Sequence, residues 1–304
     1  MTAFLQLSLT PLLIGALVAA TCALVGNFLL LRRQALLGDA ISHVVLPGIV
    51  LAFVITGAVA AAPMLLGAAA VAVAAVVAIE AVKRLGRVEP GAAMGVVFTT
   101  FFAAGVLLLE QTDTSAVHLD VEHALMGNLE SLVWFAATGP GSLIDPAALA
   151  RLPSELPRVA AVAVVVVALC WLFWRPLALA TFDEGFARSI GIPVTALGFG
   201  LVTVAAIAAV AAFDAVGSII VIAMFICPPA AARLMTDRLG RQVAWSVVFA
   251  VVSAVLGYML AGYGPLWLGA QDAVSAAGMI AVVSGVILAL AVRFGPCRGA
   301  PRRG

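Results

Sequence analysis

The chain has 304 residues, 64% of them hydrophobic and only 10% charged, with a net charge of +1. Soluble domains carry about 25% charged residues and roughly half apolar ones, so this balance excludes a water-soluble globular protein and marks an integral membrane protein. Three of the four cysteines (Cys22, Cys170 and Cys227) lie in apolar runs and Cys297 lies in a basic tail, which argues against a disulfide framework.

Residues 1–9 hold no basic group and no small-residue cleavage signal follows, so no detachable leader is expected. Apolar runs then cover 10–31, 41–57, 61–82, 92–110, 158–175, 195–213, 216–231, 243–261 and 273–292. Several fall short of the ~20 residues an upright helix needs, so their ends reach into flanking residues or the helices are broken and shielded by neighbours. Pro228 and Pro229 interrupt the run at 216–231, which makes eight spans the alternative to nine.

Charge tests the count. Arg32 and Arg33 follow the first run, Lys83, Arg84 and Arg87 the third, and Arg175 and Arg188 the fifth. Arg233, Arg238 and Arg241 follow the seventh, and Arg293, Arg298, Arg302 and Arg303 the ninth. Nine spans place fourteen of the sixteen Lys and Arg residues on one face, leaving Arg151 and Arg158 opposite. The positive-inside rule then puts the N-terminus outside and the C-terminus in the cytoplasm. On this reading residues 1–294 form one transmembrane domain, with an external segment at 111–157 and a cytoplasmic segment at 181–192. Residues 295–304 are a short basic cytoplasmic tail, whose charges meet anionic headgroups and call for no nucleic acid. The interval 111–157 includes the weakly apolar stretch LESLVWFAATG at 129–139, and a surface helix or re-entrant segment within the interval is as plausible as none.

Ionisable groups inside a span are costly and mark function by default. Asp39 and His43, in LLRRQALLGDAISHVVLPG at 30–48, are one helical turn apart. Counted along a continuous helix from Arg33, His43 lies about 15 Å deeper, near mid-membrane. Carboxylate and neutral imidazole suit Zn²⁺, Mn²⁺ or Fe²⁺. Capping of a helix broken near Pro47-Gly48, an interhelical hydrogen bond and a proton relay are the alternatives. His118, Asp120, Glu122 and His123, in HLDVEHALMGNLE at 118–130, line an external entrance, dock a delivery protein, or belong to an ordinary solvated loop.

Glu80 is expected to pair with Lys83 and Arg84, and Asp214 to cap the following helix. In TFDEGFARSIGIPV at 181–194, Thr181 or Asp183 can cap a short helix that Gly191 and Pro193 stop, a natural handle for a cytoplasmic motor. The alternative is a loop lying on the membrane. Cys227, before two prolines, is either a small hydrophobe or a soft-metal ligand.

No GxxxxGK[ST] loop, CxxC or HExxH spacing occurs, so no nucleotide-binding or catalytic pairing is legible, and any ATPase must be another chain. Three segments carry a resemblance. LLRRQALLGDAISHVVLPG, FDEGFARSIG at 182–191, and 217–239 ending in PPAAARLMTDRL resemble the metal-ion (zinc, manganese and iron) permease subunits of bacterial ABC importers. The likeness runs from the first span to about Ala291. It implies a cytoplasmic-membrane permease with the all-α polytopic fold of vitamin B12/siderophore-type importer permeases. It implies as partners cytoplasmic ABC ATPase subunits, a periplasmic or lipid-anchored metal-binding protein, and a second permease copy or paralogue. It also implies a metal path through Asp39 and His43 and ATPase coupling through Phe182, Asp183, Glu184 and Arg188. No bound cofactor is implied; the metal is cargo. An ATP-independent transporter or channel for divalent metal ions is the alternative.

Overall fold

A backbone in hydrocarbon has no water to bond, so each N–H and C=O must find a partner within the chain, and a helix provides one. The computed structural model describes residues 2–57, 61–111, 129–267 and 274–297. Among these residues, nine helices are long and apolar enough to cross a membrane. They are α1 (Leu9–Leu31), α2 (Leu37–Thr56), α3 (Ala61–Leu85), α4 (Pro90–Gln111), α5 (Glu155–Leu172), α6 (Val194–Val216), α7 (Ser218–Met235), α8 (Leu239–Trp267) and α9 (Ala276–Phe294).

The prolines do not break these helices. Pro47 stays inside α2, and Pro228 and Pro229 inside α7. Neighbours accommodate them: the Pro47 ring lies where a side chain on Gly105 of α4 would stand. The expected break at Pro47-Gly48 is therefore absent. What proline removes is a donor, so the His43 carbonyl, four residues earlier, has no N–H from Pro47.

Packing sorts the helices into two groups. α2, α3 and α4 pack on one another, while α1, α7, α8 and α9 form a second group, with α6 touching α1, α2 and α3. α5 lies outside, against α1 and α6. Helix association in lipid gains little from the hydrophobic effect and depends on close approach. Glycines supply it: a Cβ on Gly48 would come within 2.6 Å of Ala68 Cα, and one on Gly257 within 2.5 Å of Ile280 Cα. α1 and α8 are also tied by a buried polar cluster, in which Asn27 donates to Ser246 Oγ (2.6 Å) and Gln242 donates to Asn27 (3.0 Å). Large apolar side chains stand exposed on the outer helices, among them Val164 and Trp171 of α5 and Val282 and Val286 of α9. In water that would be a liability; against acyl chains it is the solvated state.

No surface helix or re-entrant segment forms at 129–139, and the rest of the described interval to 154 holds only short helical turns at Pro140–Leu143 and Pro146–Leu149. Leu129–Ser131 is a single 3-10 turn, and the chain then runs without a helix to Thr138. Trp134 is buried there, its indole donating to the Ala148 carbonyl (2.9 Å) and its backbone N–H to Gln6 (2.7 Å). Glu130 reaches the first turn of α9 and accepts from the Ala276 N–H.

Candidate functional site

The site begins with a turn. Leu31 ends α1, Arg33 adopts a left-handed φ of 59°, and α2 starts at Leu37, which places Asp39 in its first turn. Because the chain turns between Arg32 and Leu36, the helix does not run on from Arg33. His43 stands six residues, about 9 Å, along α2 from its start, where a continuous helix from Arg33 would put it about 15 Å along.

Asp39 Oδ1 and His43 Nε2 lie 3.8 Å apart, with side chains 42% and 35% exposed. The remainder of α2 is mostly buried against α3 and α4, so the pair occupies a stripe that this chain leaves partly open. Two aromatic rings of α4 hold the imidazole. Phe98 stacks on it at 5.5 Å between centroids, and Phe102 meets it edge-on at 5.3 Å. These rings fix the His43 plane and leave its ring nitrogens unencumbered by a strong partner. Ser42 donates to the Asp39 carbonyl, not its carboxylate. Neither the cap nor the interhelical hydrogen bond considered for this pair is formed.

The second predicted set lies between α5 and α6, where Trp174–Phe182 leads into a short helix, Glu184–Ser189. Asp183 is its N-cap, accepting from the Phe186 N–H at 2.8 Å, and Gly191 turns the chain with φ 84°. Phe182, Phe186 and Ile190 are exposed, while Ala187 is buried against Ala180 and Val194. A one-turn knob results, its outer surface made of apolar side chains, two carboxylates and Arg188. Glu184 pairs along the helix with Arg188 and across to Arg32, both at 3.5 Å.

Two pairs complete the charges. Glu80 accepts from Lys83 and Arg84, each at 2.7 Å, as its spacing predicts. Asp214 does not cap α7; it sits in the last turn of α6 and pairs with Arg158 of α5. His118, Asp120, Glu122 and His123 lie outside the described residues. Among the described residues, Cys227 included, no group of three or more His, Cys, Asp or Glu side chains is placed to hold a metal ion. The sequence did not disclose Phe98 and Phe102, although their i, i+4 spacing puts them on one face of α4. Nor did it disclose the Arg32–Glu184 contact, which joins residues 152 apart.

Among the described residues, nine helices long and apolar enough to cross a membrane, one of them carrying an acid and an imidazole a turn apart, define a multi-pass membrane protein. The chain belongs to the ABC 3 transport family, whose profile matches residues 4–133 and 148–295. It is 40% identical over 285 residues to the manganese transport system membrane protein MntD of Bacillus subtilis, covering 94% of this chain and 91% of that one. The zinc transport system membrane protein TroD of Treponema pallidum is 33% identical, with coverage of 98% and 76%. Among solved structures, PsaBC from Streptococcus pneumoniae in complex with Fab superposes with a TM-score of 0.73 at 25% identity, covering 95% of this chain and 92% of that one.

These likenesses correct the expected architecture. The fold is the ABC 3 metal-permease type, distinct from the vitamin B12/siderophore type. A transporter described as metal-chelate type superposes less well, with a TM-score of 0.67 at 14% identity over 96% of this chain and 87% of that one. Composition and span count specify a helical membrane bundle, but small-residue interfaces support many arrangements of the same helices. The expectation had carried over the arrangement of another importer class.

Proposed function

We propose that Asp39 and His43 are the step at which a divalent metal ion is held during passage. The chain is the permease subunit of an ABC-type importer of divalent transition-metal ions (Mn²⁺, Fe²⁺ or Zn²⁺), with ATP hydrolysed on a separate subunit and a solute-binding protein as further partner. The observation that carries the assignment of the site is the 3.8 Å acid–imidazole pair on an incompletely covered stripe of α2. Carboxylate oxygen and neutral imidazole suit these ions, and a doubly charged ion offsets the cost of an ionised carboxylate in a poorly hydrated place. So few ligands from one chain bind weakly, which a conducting site requires so that the ion can leave. Water or a second permease, a copy or a paralogue, fills the remaining positions.

The charge distribution supports a cytoplasmic C-terminus and an external N-terminus. The Glu184–Ser189 knob, with Phe182, Asp183, Glu184 and Arg188, then meets the ATPase. Motion of the knob passes through Glu184–Arg32 to the turn before α2, a few residues from Asp39. Alternating access follows if ATP binding shifts this linkage while the metal is held. External His118, Asp120, Glu122 and His123 serve the entrance, where the binding protein delivers its ion.

Proteoliposomes containing the permease, its ATPase and the binding protein test this reading. ATP-dependent accumulation of the metal is expected. Equal uptake without any ATPase would contradict it and favour an ATP-independent transporter.

A further inference from the structure

A cavity of about 550 Å³ lies beside the knob, between the α1–α2 turn, the end of α3 and the starts of α4 and α6. Arg32, Arg33, Lys83, Arg84 and Arg188 line it, against two carboxylates, Glu80 and Glu184. Glu80 is already engaged by Lys83 and Arg84 at 2.7 Å. Glu184 is shared between Arg32 and Arg188, at 3.5 Å from each, and is more than half exposed.

Arg32 is the unusual member. Its side chain is only 9% exposed, its guanidinium rests against Gly198, and its Nη1 has no hydrogen-bond partner. A buried cation is costly unless it is paired and bonded, and one long contact to a half-solvated carboxylate does neither well. The cavity is thus a concave, polar space with a cationic surplus and an under-compensated guanidinium in its wall. Planar guanidinium groups match tetrahedral oxyanions, donating in parallel to two oxygens.

We infer that this cavity is a binding site for a phosphate-class anion, either free phosphate or the phosphodiester headgroup of an anionic lipid. The site is distinct from the Asp39–His43 pair, neither of which lines it. Its bound anion competes with Glu184 for Arg32 and Arg188, so occupancy loosens the knob from the α1–α2 turn. The cytoplasmic placement of the cavity rests on the orientation proposed above; binding itself does not.

The test uses full-length permease, delipidated in neutral detergent. Equilibrium dialysis with radiolabelled inorganic phosphate, at ionic strength fixed with chloride, reads the free anion. Native mass spectrometry after incubation with phosphatidylglycerol or phosphatidylcholine reads the headgroup. Saturable phosphate retention assigns a free anion, and selective retention of phosphatidylglycerol assigns a lipid; either supports the site. The Arg33→Gln/Arg84→Gln double variant should weaken whichever is bound by about tenfold or more. Glu184→Gln, which keeps all five cations, should tighten it and guards against misfolding of the double variant. Absence of both ligands above the chloride and phosphatidylcholine controls would overturn the inference. So would affinity unchanged in both variants.

Discussion

Gly26 of α1 faces the carbonyl of Phe225 in α7 so closely that any side chain would collide with it. That carbonyl is available because Pro229, four residues on, cannot donate to it, and the Pro229 ring closes the same space at 3.0 Å from a Cβ on Gly26. Gly26→Ala should cost about 1–3 kcal/mol through overpacking. Gly200→Ala in α6, where a Cβ would meet nothing within 4 Å, should be neutral or stabilising by up to about 1 kcal/mol. Thermal unfolding of the two variants in detergent checks the contrast, and equal losses would contradict it. At the same scale, Phe98 and Phe102 hold the His43 ring, each pair contributing about 0.5–1.5 kcal/mol. Replacing both with Leu should lower metal uptake at limiting metal concentration while expression is retained. Unchanged uptake would show that the imidazole needs no such support.

At the scale of elements, the knob between α5 and α6 is a one-turn helix that depends on its cap. Asp183→Ala removes the acceptor for the Phe186 N–H, at a local cost of about 1 kcal/mol. The Asp183→Ala/Glu184→Ala variant should therefore reduce the amount of ATPase that co-purifies, without altering the amount of permease in the membrane. Undiminished co-purification would remove the coupling role. The knob was legible in the sequence because its signals are local: an acidic cap, six residues, then Gly191 and Pro193. The α2 pair was legible for the same reason, since i, i+4 spacing fixes neighbours on any helix. Contacts between distant segments were not. Arg158–Asp214, Arg32–Glu184 and Phe98–His43 each join residues from different elements, and no periodicity announces them. The prolines misled for a related reason. Proline marks a lost donor, but whether a helix bends or breaks depends on neighbours such as Gly105 that the local pattern does not show.

For the whole molecule, nine spans were readable from hydropathy together with the alternation of basic clusters, and the nine long helices agree with that count among the described residues. The start of α2 was placed too late, at 41 instead of Leu37, because Gly38 and Asp39 interrupt the apolar run within the helix's first turn. The arrangement of the helices was not readable, and the vitamin B12/siderophore-type fold expected for it was the wrong one. Burial explains why: α1 is largely enclosed and α6 half enclosed while α4, α5 and α9 are mostly open, yet all have similar hydropathy. In lipid, buried and exposed faces are both apolar, so the contrast that orients helices in water is lost. Only the small residues and the few polar groups distinguish one face from another.

The central claim is that the Asp39–His43 pair holds the ion in transit, and uptake by reconstituted Asp39→Asn measures it most directly. The substitution keeps size and removes charge, so assembly with the ATPase should persist, whereas ATP-driven metal uptake should fall by about a hundredfold, as expected for loss of a metal-site group. Wild-type uptake by that variant, with the complex intact, would contradict the account.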